Sequence, residues 1–279
     1  MRFRLQRLLA ALAAPFRGGP AVEPPDEDPT AFTVRYDRVF DSLSMADLQR
    51  DSSPLDESGV LDDLFRSAHG SHYFLNTYSE EGARHAFERY GFFDLLRKRG
   101  FEPVFSADVA DPDEHRLRIH DGVRRPDRLL IEASVSVRSL DLPGAPACRM
   151  LFINWLLMQD PRRAFRPTDV PLPGQAHPGL GLFLRFGYLL RLMAARVECE
   201  GMLNHPSYFH NGVLYGKMFH FADPQVEGTF LALTRDLAHL PLAEASNALR
   251  DGRVVDAAGA VAEWQPVAQV LPISPRARA

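Results

Sequence analysis

RMLFINWLLM, residues 149–158, decides the fold, because after Arg149 it is apolar at both alternating phases except for Asn154. A short apolar run of this kind predicts a strand buried on both faces, at the centre of a sheet. A central strand is also where an open sheet tends to hold a ligand. We therefore expect a sheet built around this strand and a site beside one of its ends.

Three segments of strand character precede it in residues 101–140, namely FEPVFSADV, EHRLRIHDG and RLLIEASVSVRSL, with Asp, Pro and Gly turns between them. This spacing predicts an antiparallel meander. In the third segment, Ile131, Ala133 and Val135 alternate with polar residues, which predicts one buried and one more polar face. Glu132 belongs to the polar face.

The elements alternate after Met158. A loop rich in Pro and Arg leads to LPGQAHPGLGL, residues 172–182, and then to an apolar segment of helical periodicity. The segments GMLNHP, YFHNGVLYGKM and FHFADP predict a strand, a helix and a strand. Residues 224–279 are expected to add one helix, PLAEASNALRDG, and a β-hairpin that turns at Gly259.

The chain before residue 101 shows helical periodicity. Residues 42–100 predict two or three helices, the last of them SEEGARHAFERYGFFDLLRKRG. Residues 1–29 join a basic, weakly apolar start to a Pro- and acid-rich stretch, typical of a flexible tail. A signal peptide and a membrane-surface helix are the alternatives.

These segments predict a tail at 1–29, a helical segment at 30–100, a core at 101–223 and an extension at 224–279. The predicted fold class is α+β, as a three-layer α/β/α arrangement. Its central sheet is expected to be mixed and mostly antiparallel, with helices flanking it.

Composition is that of a soluble globular protein, with 46% apolar and 24% charged residues. The net charge of -4 gives no overall basic field, so no nucleic-acid partner is expected. Arg185 and Arg191 interrupt the most apolar region, so stable membrane insertion is not expected. The two cysteines, Cys148 and Cys199, imply no disulfide framework and favour a cytoplasmic location.

The glycines of LPGQAHPGLGL suggest an anion site. Gly179 and Gly181 are expected in the first turn of the following helix, where backbone N–H groups lack partners and the helix dipole presents about half a positive charge. Without Cβ atoms they allow close approach of a pyrophosphate, while Leu180 and Leu182 point into the core. An ordinary turn at a helix start has the same pattern. Both interpretations stay open on the glycines alone.

The order of elements over residues 101–223 resembles the acyl-CoA core of the GNAT N-acetyltransferase superfamily. In that family a polar residue precedes a G-x-G or G-x-A turn whose amides hold the CoA pyrophosphate. Gln175, Gly179 and Gly181 match this turn, although Gln175 lies one residue further from the glycines than usual. A later family helix carries an asparagine and ends in a tyrosine, a lysine and an aromatic strand start, which resemble Asn211, Tyr215, Lys217 and Phe221.

The resemblance implies an N-acyltransferase that moves a short acyl group from acetyl-CoA or another acyl-CoA to an amine of a small molecule or peptide. Tyr215 is expected to reprotonate the leaving thiolate, and Glu132 to accept the proton that the amine loses. The residues expected to bind the cofactor are Gln175, His177, Gly179, Leu180, Gly181, Leu182 and Asn211. A divergent member that binds ligands without catalysis is the alternative.

Other residue patterns suggest further chemistry. A basic patch near the glycines, which could contact CoA phosphates, consists of Arg162, Arg163 and Arg166. Two groups suggest a metal-dependent hydrolase: His205 and His210 with Cys199, and His69 with His72. Neither group has a third ligand at a fixed spacing, so we expect no metal site.

Overall fold

The computed structural model describes residues 29–50, 73–141 and 147–278. The predicted tail up to residue 28 and the predicted helix ESGVLDDLFRSAHG lie outside the described residues, as do His69 and His72. Helices occupy α1 (Pro29–Ser42), α2 (Met45–Leu48), α3 (Glu80–Arg89), α4 (Phe92–Lys98), α5 (Phe183–Arg196), α6 (Phe209–Tyr215), α7 (Pro224–Asp236) and α8 (Leu242–Arg250). Strands occupy β1 (Pro103–Asp108), β2 (His115–Asp121), β3 (Leu129–Leu140), β4 (Cys148–Met158), β5 (Gly201–Asn204), β6 (His220–Phe221) and β7 (Gln269–Pro272).

The strands form one seven-stranded sheet in the order β1-β2-β3-β4-β5-β7-β6. β1 to β4 are an antiparallel meander, β4 and β5 are parallel, and β7 is antiparallel to both β5 and β6. The predicted fold class is therefore confirmed: an α+β protein whose mixed, mostly antiparallel sheet is flanked by helices, compatible with three α/β/α layers. β4 is central, as predicted.

The main core lies between one face of the sheet and helices α1, α3, α4 and α5. Phe87 of α3 joins these layers, because its ring centroid lies 5.4 Å from that of Phe105 in β1 and 6.2 Å from that of Phe186 in α5. Aromatic rings of this size contribute much of the buried area of a core. This packing fixes α5 over the centre of the sheet and thereby fixes where its first turn lies.

β4 is buried on both faces only in its first half, so the prediction for the whole strand is wrong after Ile153. Asn154 is exposed, and Trp155 is 53% exposed. The register with β3 shifts here, since Ser134 pairs with Trp155 and Val135 with Ile153. Asn154 is therefore the extra residue of a β-bulge, which bends a strand and disrupts its pairing locally.

Two other predictions need correction. The helix predicted over residues 79–100 is divided at Gly91, whose φ of 70° is left-handed and ends the regular helix between α3 and α4. The C-terminal hairpin is reduced to one bridge, Val255 with Val261, while β7 pairs with β5 and β6 instead. α7 is an additional helix that the sequence interpretation did not include.

The helices within the described ranges include none that is long and apolar enough to cross a membrane.

Candidate functional site

β4 and β5 separate at one end of the sheet. They pair in parallel only from Met150 with Gly201 to Ile153 with Asn204, where β5 ends. β4 continues to Met158, paired with β3 alone. We call the unpaired edge of β4 at residues 154–158, together with the end of β5, the strand fork. At about 3.3 Å per residue, this edge is about 16 Å long.

The glycine-containing loop returns to the open end of the strand fork. The backbone N–H of Asp160 donates to the Pro178 carbonyl at 2.7 Å. A Cβ atom added at Gly179 would lie 3.7 Å from the Met158 carbonyl oxygen. Leu180 and Leu182 are buried, as predicted. The buried leucines anchor the loop beside the last residue of β4.

Helix α5 presents free backbone amides at this place. Its first backbone hydrogen bond runs from the Phe186 N–H to the Leu182 carbonyl, and no side chain caps its start. The backbone N–H groups of residues 179–184 have no acceptor within the described residues. They lie at the positive end of a 14-residue helix, an arrangement that can bind an anion.

The two glycines differ in what their backbone requires. α5 begins at Phe183, so Gly179 and Gly181 precede the helix, and the prediction that they lie in its first turn is wrong. Gly181 has a left-handed φ of 72°, and a Cβ atom there would meet nothing within 4 Å. The backbone conformation alone therefore favours glycine at 181. Gly179 has no such requirement.

Gln175 and His177 hold the loop itself. The Gln175 side-chain oxygen accepts from the Leu172 N–H at 3.2 Å, and the Gln175 N–H donates to the Leu172 carbonyl at 3.0 Å. The exposed His177 ring has Nδ1 3.1 Å from the Arg163 carbonyl oxygen. These bonds give both residues a local structural role, and their contact with a cofactor stays a prediction.

Helix α6 brings Tyr215 to the start of α5. The Tyr215 ring packs edge-on against Phe183, the first residue of α5, at 5.1 Å between centroids, and against Phe219 at 5.7 Å. Burial raises the pKa of Tyr215 above its ordinary value. Its hydroxyl therefore stays protonated at neutral pH and is able to donate a hydrogen bond.

Asn211 and Glu132 have structural partners. The Asn211 side-chain oxygen accepts from the Tyr208 N–H at 3.2 Å, at the start of α6. The Glu132 carboxylate accepts from Arg118 Nε at 2.7 Å, on the sheet face opposite the main core. Tyr215 packs against the main core. The structure therefore does not bring Glu132 and Tyr215 together on one face.

The predicted arginine patch is mostly engaged elsewhere. Arg162 stacks on the Phe101 ring at 3.6 Å and donates to the carbonyls of Arg99 and Gly100, just after α4. Arg166 pairs with Asp169 at 2.9 Å. Of the three arginines, only Arg163 keeps a side chain without a bond among the described residues.

Of the possible metal ligands near α6, His205 is exposed, while His210 and Cys199 are buried. His210 Nδ1 lies 2.9 Å from Ser246 Oγ, and burial lowers the pKa of His210 to about 4. Burial raises the pKa of Cys199 to about 11, so its thiol is neutral. Within the described ranges, no group of three His, Cys, Asp or Glu side chains is arranged to hold a metal ion.

Two residues at the strand fork were missed by the sequence interpretation. Asn204 ends β5 and is 2% exposed, and Gln269 pairs with it from β7 and is fully buried. The sequence signal for Asn204 is an amide side chain at the end of the short apolar segment GMLN. Gln269 had no such signal, because its segment was assigned to a hairpin.

The comparisons with known proteins identify no family. No protein-family model matches the chain, and no curated protein matches it. One solved structure, "The crystal structure of KacTA-DNA complex", aligns with this protein at 13% sequence identity and a TM-score of 0.29. The alignment covers 52% of this chain and 82% of the other chain. A TM-score this low carries no argument about fold or function.

Proposed function

We propose that the protein is an acyl-CoA-dependent N-acyltransferase of GNAT-like architecture. The observation that carries this proposal is the strand fork, where the parallel pair at the centre of an otherwise antiparallel sheet separates beside the free amides of residues 179–184. Carboxyl ends of adjacent parallel strands are common ligand sites, and helix N-termini suit phosphate groups.

The dimensions of the strand fork suit an extended cofactor arm. The free amides before α5 would hold the CoA pyrophosphate near Met158, at the outer end of the fork. The unpaired edge of β4 would bind the amide groups of the pantetheine arm through its backbone. The thioester would then lie near the point where β4 and β5 separate, beside Ile153.

Tyr215 would supply the proton in the transfer step. The acceptor nitrogen attacks the thioester carbonyl carbon, the C–S bond breaks, and the Tyr215 hydroxyl protonates the thiolate. The amine loses one proton as the amide forms, and this proton returns to the tyrosinate through solvent or the acceptor. A backbone N–H of the β4 edge would stabilise the oxyanion, an interaction worth about 3 kcal/mol in other enzymes.

Thermal unfolding with acetyl-CoA tests the proposal directly. A ligand at about a hundred times its dissociation constant stabilises the folded state by about 2.7 kcal/mol. We expect a rise in melting temperature with both acetyl-CoA and CoA, and none with dephosphorylated pantetheine alone at the same concentration. An unchanged melting temperature with all three would remove the acyl-CoA proposal.

Gly179→Ala should separate anion binding from turn formation. We expect a change in unfolding free energy within about 0.5 kcal/mol and clearly weaker CoA binding by calorimetry, because a methyl group would crowd the amides. Gly181→Ala is the contrasting variant, since its left-handed φ makes alanine destabilising by about 1 kcal/mol whatever is bound. Equal CoA affinity for Gly179→Ala and wild type would show that these amides hold no pyrophosphate.

Tyr215→Phe should lower turnover by about 100-fold, at the lower end of the range for general acids, while CoA affinity changes little. Release of free CoA thiol, followed with acetyl-CoA and a panel of amines, measures the rate. Tyr73→Phe, at an exposed position, is the control. Turnover that is equal in wild type and Tyr215→Phe would exclude the hydroxyl from the chemical step.

A second candidate function is a binding protein of the same architecture that does not catalyse transfer. One observation favours it: Glu132, the residue expected to act as the base, is ion-paired with Arg118 on the opposite sheet face and not beside Tyr215. This candidate predicts acyl-CoA binding by calorimetry without release of free thiol for any amine in the panel.

A further inference from the structure

Asn204 and Gln269 are neighbouring amides at the inner end of the strand fork. Their Cα atoms are paired across β5 and β7, and facing residues in an antiparallel pair have Cβ atoms about 5 Å apart. Met202 and Leu271, two residues along each strand, pack in or against the main core. The two amide side chains therefore share the sheet face on which that core and Tyr215 lie.

These amides keep unused hydrogen-bonding groups despite their burial. Within the described part of the chain, Asn204 Oδ1 and Nδ2 and Gln269 Oε1 have no hydrogen-bond partner. Gln269 Nε2 donates to the Gly212 carbonyl of α6 at 3.3 Å. An unsatisfied buried polar group costs about 1–3 kcal/mol, so two of them side by side point to a molecule that supplies the partners.

The position of Gly212 and Tyr215 on one helix indicates which part of a bound molecule these amides meet. Gly212, which accepts from Gln269, precedes Tyr215 by three residues of α6, or about 4.5 Å along the helix axis. On the proposed function, the thioester sulfur lies beside Tyr215. A position about 4.5 Å from the sulfur along α6 corresponds to the acyl chain, a few bonds beyond the carbonyl carbon.

We propose that Asn204 and Gln269 form an amide pocket that selects acyl groups carrying an uncharged hydrogen-bonding substituent, such as a hydroxyl group near the thioester. This inference rests on the proposed function. The unused groups are two acceptors and one donor, and a hydroxyl group satisfies two of the three by donating to one oxygen and accepting from Nδ2. A charged substituent is disfavoured, because burying a charge costs much more than burying a hydroxyl group.

The experiment compares butyryl-CoA with 3-hydroxybutyryl-CoA by calorimetry on the whole chain. One good hydrogen bond is worth about 1 kcal/mol, so two should give the hydroxylated ligand at least about tenfold tighter binding to wild type. Asn204→Leu and Gln269→Met replace the amides by apolar side chains of similar size. Asn204→Leu, which removes the donor and one acceptor, should bring the ratio of the two affinities close to one, and Gln269→Met should lower it. Gln225→Met, which changes an exposed amide on α7, should keep the wild-type ratio.

Melting temperatures complete the test. Asn204→Leu should be as stable as wild type or more stable, because it removes a buried amide that has no partner. If the amides serve only the fold, or bind only water, the ratio of the two affinities will be equal in wild type and variants. That result would overturn the proposed amide pocket but not acyl-CoA binding. If wild type binds neither butyryl-CoA nor 3-hydroxybutyryl-CoA, that result would overturn the proposed function and the amide pocket together.

Discussion

Gly82→Ala is expected to destabilise the protein by about 3 kcal/mol or more, which lowers its melting temperature by roughly 6–12 °C. Gly82 lies in the first turn of α3, where α2 crosses it. A Cβ atom at this position would lie 1.9 Å from the Leu48 carbonyl oxygen. That carbonyl also accepts from the Ser79 N–H at 3.0 Å, so it cannot move without breaking the start of α3.

Gly228→Ala is the matched control. Gly228 is an exposed glycine inside α7, and a Cβ atom there meets nothing within 4 Å. Alanine should therefore stabilise the helix by about 0.5–1 kcal/mol. Both variants are compared by thermal and urea unfolding. A Gly82→Ala protein as stable as wild type would show that α2 does not pack on α3 in this way.

Acid should destabilise the protein through His210. Burial lowers the pKa of His210 to about 4, whereas an unfolded histidine has a pKa of about 6.5. The unfolded state therefore binds the proton first, and stability falls as the pH falls from about 6.5 to 4. A difference of about 2.5 units corresponds to about 3 kcal/mol. The pKa values of His115 and His120 are lowered by burial too, so they act in the same direction.

His210→Gln isolates this contribution. The variant retains a polar side chain that can bond to Ser246, but it carries no titrating group. The loss of unfolding free energy between pH 7 and pH 4.5 should be smaller by about 2–3 kcal/mol in His210→Gln than in wild type. His205→Gln, at an exposed position of the adjoining loop, should lose as much as wild type. An equal loss in all three proteins would contradict the buried, neutral state of His210.

The sequence predicted the elements whose signals are local. β1 to β3 lie within the predicted segments and β4 begins one residue before its own, because alternation and turn residues operate over a few positions. The boundaries failed where a glycine adopts a left-handed φ. Gly91 divides a helix, and Gly181 delays the start of α5 to Phe183. Composition does not reveal which glycines take this conformation.

The candidate site was predictable only in part. The glycine loop and Tyr215 stand out in the sequence and lie close together through the Phe183 ring. The β4 bulge at Asn154 and the pairing of Asn204 with Gln269 arise from strand register, which the linear pattern does not contain. Glu132 was expected on a polar face, and the sheet does place it there, but alternation could not reveal its ion pair with Arg118.

The position of β7 between β5 and β6 has a consequence for synthesis on the ribosome. Gln269 follows its partner Asn204 by 65 positions, so β5 has one edge open until residues 269–272 emerge. The β1–β4 meander can form from neighbouring segments well before that. Long-range pairing of this kind slows folding and leaves strand edges open to association with other chains. The nascent protein is therefore most prone to aggregation while its last strand is still inside the exit tunnel.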